Sequence, residues 1–297
     1  MTQTVSDLLK RHLPPRLVTL IKACRKAYRQ YKRYRLGKGK DLLRQVALSK
    51  HSFCIFVNPY LNGGVDEVVF DTGVWEPEIT ALIDQYLPVG GTCIDIGANI
   101  GFHSLYAASV VGPSGSVVSF EPLPRLQAQM QRSVEGNGFH NVSVQPVALG
   151  MTKGTATLSL VDENIGASSL QNVDADRAVG TKVTVPVHTL DSYVQDFSRL
   201  DLIKIDIEGS EFEALRGGEN VIRRFRPVII LEFSPHVYEK DWVGKSLEFY
   251  EYLSGLGYVI TDIEKQVVNI EANLKAANFT LLHTNLLCVP QPKINTL

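Results

Sequence analysis

The stretch TCIDIGANIG, residues 92–101, constrains the fold of this chain more than any other. It is an apolar run interrupted by one acid, Asp95, and it closes on glycines at 97 and 101. A run this apolar reads as a strand covered on both faces, the pattern of a parallel sheet rather than of a half-exposed antiparallel one. The glycines and the helical periodicity beyond them add a turn and a helix start. In a doubly wound sheet such a turn lies at the carboxyl edge, where strand order reverses and ligands bind. Glycine there admits a ligand close to the backbone, and the helix start offers unpaired N–H groups.

From about residue 89 the same alternation recurs. Strands are expected at 92–96, 116–121, 142–147, 201–207, 227–233, 257–263 and 281–289, with helices at 101–111, 123–137, 210–224 and 245–255. Strand and helix in turn predict an α/β fold with helices on both faces of a mostly parallel sheet. The chain has 297 residues, 44% of them hydrophobic, enough for one large core. Residues 148–200 break the alternation, because GTATLSL and TKVTVPVHTL read as antiparallel strands around a polar loop. This β-rich insertion belongs at the edge where ligands bind. Upstream, WEPEITALIDQYL (75–87) reads as an amphipathic helix with Pro77 in its first turn, and 53–70 holds short strand candidates.

Residues 1–50 differ from the rest. They hold 14 basic and 2 acidic residues, against 16 and 29 in residues 51–297, so a basic extension of +12 precedes a body of −13. Pro14 and Pro15 separate a short helix from a longer one ended by Gly37 and Gly39, with Leu17, Leu20, Ile21, Cys24, Tyr28 and Tyr31 on one face. The expected division is therefore a basic amphipathic helical extension, 1–50, and an α/β domain, 51–297. The apolar stripe, with Tyr28, Tyr31 and Tyr34, favours an anionic membrane surface as the extension's partner. Nucleic acid is less favoured because the body is acidic, and docking on that acidic body is a third reading. No apolar run approaches the roughly 18 residues of a membrane span. Four cysteines without a CxxC suit free thiols in a reducing compartment and suggest no zinc site. A cytoplasmic protein, peripheral on the inner face of a membrane, is the resulting expectation.

The chemistry is read from the strand ends. A dinucleotide turn reads GxGxxG and closes on a pyrophosphate, whereas here Asp95 precedes Gly97 and Gly101, and a carboxylate attracts a cation. Glu121, in SFEPLP at the end of the second strand, stands where an acid takes two ribose hydroxyls. A cationic amino-acid end and a ribose without phosphate describe S-adenosylmethionine. The plainer alternative is that Asp95 caps the turn and Glu121 is a solvated strand end. In KIDIEGSE, Lys204, Asp206 and Glu208 alternate along a strand otherwise built of isoleucine, so they share one face. Either Lys204 and Asp206 are a structural ion pair, or the strand ends at the reaction site, with Gly209 and Ser210 opening the next helix and Glu211 in its first turn. Methyl transfer from a sulfonium is an in-line displacement that needs the accepting atom aligned and any proton on it removed. Asp206 is the first candidate base and Lys204 its orienting group or a donor to negative charge developing on the acceptor. Glu208, Glu232 and His236 are in reserve. These acids also suit Mg²⁺, which the sequence does not require. Ser168 and Ser169, in GASSLQ, either form an ordinary turn or line an acceptor pocket.

DIGANIGFHSLYAA, SFEPLP and LDLIKIDIEGSEFEALRG, with LDSY just before the last, resemble the FkbM family of S-adenosylmethionine-dependent methyltransferases over about residues 70–235. The resemblance implies a class I methyltransferase (Rossmann-like) fold with a seven-stranded sheet whose last strand is antiparallel. It also implies methyl transfer to a hydroxyl of a sugar, a glycolipid or a related small molecule. By motif match, Asp95, Gly97, Ala98, Asn99, Gly101 and Glu121 contact the cofactor, and Ala148 lies near the adenine. Glu76, in GVWEPE, matches another recurrent position. His103 stands where the family more often has an aromatic, so no catalytic role follows for it. An RNA methyltransferase using the basic arm and a non-catalytic cofactor-binding protein are the alternatives. Intact Lys204, Asp206 and Glu208 argue against the latter.

Overall fold

The structure, a computed structural model, describes residues 41–59, 64–159, 182–234, 241–264, 267, 269–276 and 283–292. The helices expected within residues 1–40, and the candidates Ser168, Ser169 and His236, lie outside the described residues.

The described chain opens with a hairpin of β1 (Leu42–Leu48) and β2 (His51–Val57), which pair antiparallel from Leu42↔Val57 to Leu48↔His51 around a two-residue turn. Leu42–Leu48 had read as the tail of the basic extension, and the expected boundary at residue 51 thus falls inside a hairpin. Val46 is fully buried, and Asp41 accepts hydrogen bonds from Asn58 Nδ2 (2.9 Å) and from Arg132. Between Val65 and Thr72 the expected strand is a helix, α1, because Val65 and Val69 repeat at helical spacing and place Val69 in the core. Helix α2 (Pro77–Tyr86) follows where the amphipathic pattern put it.

Beyond α2 the chain runs through β3 (Thr92–Ile96), α3 (Phe102–Val111), β4 (Ser116–Phe120), α4 (Pro124–Gly136) and β5 (Val142–Gln145). The insertion supplies β6 (Ala148–Leu149), β7 (Gly154–Ser159) and β8 (Lys182–His188), with β7 antiparallel to β8 as expected and β6 parallel to it. The chain then forms β9 (Leu202–Ile205), α5 (Glu211–Arg216), α6 (Glu219–Phe225), β10 (Val228–Phe233), α7 (Trp242–Gly255), β11 (Tyr258–Asp262), α8 (Ile270–Lys275) and β12 (Thr284–Pro290). The single helix expected over 210–224 is broken at Gly217 and Gly218. A Cβ on Gly217 would lie 2.1 Å from the Gly150 carbonyl oxygen, and one on Gly218 would lie 2.7 Å from Leu190, so the break is where the insertion packs on the helices.

The seven-stranded sheet has the order β5-β4-β3-β9-β10-β12-β11, parallel except for β12, which is antiparallel to both neighbours. This is the mixed α/β sheet with an antiparallel last strand that the resemblance implied. The chain winds outward from β3 to β5 and then returns to β9 beside β3, so the switch point lies between β3 and β9. Side chains alternate between two cores. Cys93 and Leu202 face the hairpin, α3 and α4, whereas Ile94, Ile96, Ile203 and Ile205 face the opposite core. Asp95 and Lys204 therefore stand side by side in register on the α3 face. No helix of the described residues is long and apolar enough to cross a membrane.

The hairpin generates a test. A chain beginning at Asp41 should keep the thermal midpoint of the full chain. One beginning at His51 loses β1 with its buried Val46, about 3 kcal/mol of apolar burial, and should melt at least about 6 °C lower. Equal midpoints by scanning calorimetry would show β1 to be dispensable.

Candidate active site

The turn after β3 is held by backbone geometry. Gly97, Asn99 and Gly101 all have left-handed φ values, of 80°, 54° and 86°. The Gly97 and Ala98 N–H groups both donate to the Phe120 carbonyl at 3.0 Å, fastening the turn to the end of β4. A Cβ on Gly97 would sit 1.8 Å from the Asp206 carbonyl oxygen, so only glycine lets the turn after β3 close on the turn after β9. Gly101 meets α4 in the same way, with a virtual Cβ 2.6 Å from Met130 Cγ.

A cavity of about 340 Å³ opens over these turns. On the β4 side its wall is apolar, from Phe120, Pro122, Leu126, Ala148, Leu149 and Leu158, with Glu121 among them. On the β9 and β10 side it is charged, with Lys204, Asp206, Glu208 and Glu232 facing Glu76 and His103. The expected contacts Gly97, Ala98 and Asn99 lie between the two ends. Asp95 and Gly101 stand behind the wall instead of in it. Asp95 is 1% exposed, and its Oδ2 accepts a 2.5 Å hydrogen bond from Ser104 of α3, which in turn accepts one from Ser119 of β4.

Lys204 is the single lysine or arginine among the described residues of the wall, and it is 6% exposed. Its Nζ lies 3.4 Å from Asp206 Oδ2 and 3.6 Å from Asp95 Oδ1. Burial disfavours its charge, but Asp206, Asp95 and Glu76 outweigh burial and hold its pKa above the ordinary lysine value. It is a donor and not a base. The ion pair of the first reading of KIDIEGSE is therefore present, and it stands in the cavity wall.

The remaining acids are shaped by burial. Glu121 takes hydrogen bonds from the N–H groups of Leu123 on Oε1 and Asn99 on Oε2, both 2.9 Å, yet burial lifts it to about 7. Glu121 lines the cavity beside its apolar residues, and a carboxylate has further lone pairs to accept from paired hydroxyls. Asp206, Glu208 and Glu232 bring carboxylate oxygens within 4.8 Å of one another. Burial, followed by the repulsion of Asp206, lifts Glu208 to about 7. Burial, followed by Asp206, Glu208 and Glu211, lifts Glu232 to about 10. Carboxylates gathered this closely oppose one another's ionisation, most strongly at Glu232. Glu211, placed in the first turn of α5 as expected, reaches back with Oε1 to the N–H groups of Ile207 (3.0 Å) and Gly209 (3.1 Å), fixing the turn that carries Asp206 and Glu208. Burial lifts its pKa to about 7 as well.

Whether the wall suits S-adenosylmethionine is tested by its unused polar atoms. Asn99 Oδ1, His103 Nε2 and Glu232 Oε2 are buried without a hydrogen-bond partner. They join an acid beside an apolar pocket, for a nucleoside, and an excess of carboxylates over cations at the other end, for a positively charged amino-acid part. No lysine or arginine cluster for a phosphate is present among the described residues of the wall. The donor set fits the cofactor. His103, His283 and Leu158 had no assigned role in the sequence. His103 lies inside the quoted glycine motif, but His283 and Leu158 come from segments whose approach only the fold reveals.

Two outcomes follow. Gly97→Ala must push the Asp206 turn away, so it should lower both the thermal midpoint and cofactor affinity by calorimetry; unchanged affinity would uncouple the two turns. The second concerns pH. Glu76, Glu121, Glu208 and Glu211 titrate at about 7 in the fold against an ordinary 4.5, Glu76 chiefly through burial. Between these values the native protein binds more protons than the unfolded chain, so their contribution to stability is full below about 4.5 and is lost as pH rises through about 7. The cofactor-free Glu208→Gln variant should therefore gain thermal midpoint relative to wild type between pH 5 and pH 8. A pH-independent difference would contradict the burial of that charge.

A family model described as the methyltransferase FkbM domain matches residues 95–260. Methyltransferase 1 of Beauveria bassiana is 28% identical over 142 residues, 42% of this chain and 57% of that protein. The hexuronic acid methyltransferase AglP of Haloferax volcanii is 25% identical over 136 residues, 46% of this chain and 53% of that protein. The chain thus spans little more than half the length of these relatives. Among solved structures, the methyltransferase FkbM of Methylobacillus flagellatus aligns with a TM-score of 0.43 at 16% identity, covering 71% of this chain and 51% of that one. The matched family domain takes up more than half of the 297 residues and includes the end of β3 and all of β4, β9 and β10, and the chain belongs to the FkbM methyltransferase domain family.

Proposed function

We propose that this chain is an S-adenosylmethionine-dependent O-methyltransferase acting on a hydroxyl of a sugar, a glycolipid or a related small molecule. One observation carries the reading: the backbone of Asp206 is in contact with Gly97, so the candidate base is fixed against the turn that would carry the methyl donor. The similarity to a hexuronic acid methyltransferase supports a sugar-type acceptor.

When bound, the cofactor supplies an electrophilic methyl group. Gly97, Ala98 and Asn99 would hold its centre, Glu121 its ribose hydroxyls, and Ala148 and Leu158 its adenine. Asp206 receives the acceptor's proton through Oδ1, while Oδ2 is held by Lys204 at 3.4 Å. Lys204, kept protonated, steadies the carboxylate and donates to negative charge developing on the acceptor oxygen. Glu208 and Glu232, with raised pKa values, keep the surroundings less anionic than three bare carboxylates and donate hydrogen bonds to an acceptor.

Methyl-labelled S-adenosylmethionine incubated with glycan, glycolipid and RNA fractions should label the first two, read by mass spectrometry; label confined to RNA would overturn the acceptor class. With a labelled acceptor in hand, Asp206→Asn should hold cofactor affinity within a few-fold and lower turnover by at least ~10²-fold, the range for a general base. Near-normal turnover would move the proton to Glu208 or Glu232.

A further inference from the structure

His103 occupies the first turn of α3 and is 5% exposed, yet its imidazole belongs to the cavity wall and its Nε2 has no hydrogen-bond partner. A buried ring nitrogen left in this state is costly, and native structures rarely retain one without a use. Nε2 faces Glu76 Oε2 across 3.7 Å, beyond hydrogen-bond reach. Burial, reinforced by Lys204, holds the imidazole well below its usual pKa, so the ring is neutral and the pair is not an ion pair. Glu76 is itself constrained, since it caps α2 with a left-handed φ of 42° that a side-chain-bearing residue seldom adopts. Two groups held at some cost, both facing one cavity and neither bonded to the other, describe a subsite for a ligand atom that can bond both.

The chemistry of that atom is constrained. An anion would be repelled by Glu76. Paired hydroxyls already have Glu121 on the far side of the cavity. A primary ammonium group carries several donors on one atom, and it can satisfy a carboxylate oxygen and a neutral imidazole lone pair together. We propose that His103 Nε2 and Glu76 Oε2 jointly hold the α-ammonium group of the cofactor's methionine part, which makes His103 a cofactor-positioning residue. The proton of the ring then sits on Nδ1. A hydrocarbon aromatic at this position has no lone pair to offer, so the device belongs to this chain's histidine. The proposal rests on the cofactor reading above.

Calorimetric titration with three ligands separates the possibilities. S-adenosylmethionine and S-adenosylhomocysteine carry the ammonium group, whereas 5′-methylthioadenosine has the nucleoside and sulfur without the amino-acid part. His103→Leu should weaken the first two by about tenfold or more, the loss of one hydrogen bond to a charged group, and leave the third within about twofold. His103→Gln, which returns a polar acceptor near the position of Nε2, should recover most of the affinity and guards against a folding defect. Glu76→Gln should show the same selectivity, and the double variant should lose less than the two single losses combined, because both residues hold one group. Equal losses for all three ligands, or none for any, would overturn the proposal and leave His103 as packing. Failure of the wild-type protein to bind any of the three would instead remove the cofactor reading itself, before a variant is made.

Discussion

A lysine ammonium that is 6% exposed cannot remain charged unless carboxylates meet it, and Lys204 meets two that come from different strands. Asp95 lies on β3 in direct register with Lys204 on β9, and Asp206 follows on the turn beyond β9. The switch point of the sheet is therefore also an ionic junction. Such a buried group is weak evidence for stability, since apolar residues of similar volume often do as well. Its placement beneath a cavity gives the better reason for its presence. Ser104 and Ser119 fix Asp95, Asp95 fixes the inner side of Lys204, and Lys204 presents its remaining hydrogen-bonding capacity to Asp206 and the cavity.

The charge balance around that junction explains the rest of the electrostatics. Glu76, Glu121, Glu208 and Glu232 surround a single lysine among the described residues of the wall, and burial raises all four pKa values, three of them further through Asp206. A site with more buried carboxylate than it can ionise comfortably is completed by a cation. Sulfonium and ammonium charges satisfy that need, and a product that has lost the sulfonium charge satisfies it less. On the proposed function, this field would hold the methyl donor more strongly than what remains after transfer, a difference in binding that would aid turnover.

The parallel core was legible because covered strands leave dense apolar runs, and because TCIDIGANIG and KIDIEGSE interrupt those runs with charges that need partners. Their mutual contact was not legible, since nothing in either stretch states that β9 returns beside β3. Asp95 read as a direct contact, although it is buried behind the wall with its Oδ2 on Ser104. Leu42–Leu48 was missed because LLRQVAL has only Val46 fully buried and follows a strongly basic stretch, so its pairing with β2 depends on a hairpin turn at Ser49 that carries no glycine. Val65–Thr72 was misread in the other direction. Its valines suit a strand by propensity, and burial of Val69 against the hairpin overrides that preference.

Asp206 joins the two halves of the site through different parts of one residue. Its carbonyl oxygen abuts Gly97 and its carboxylate pairs with Lys204, so backbone and side chain answer to separate constraints. The backbone contact sets the distance between the turn after β3 and the turn after β9, which a side chain alone could not hold. The ionic contact holds Oδ2 of that carboxylate. Glu211 reinforces the first by bonding the N–H groups of Ile207 and Gly209, and Asp95 reinforces the second by sharing the lysine. A carboxylate built in this way loses little freedom on meeting a ligand, because its position was settled when the sheet formed.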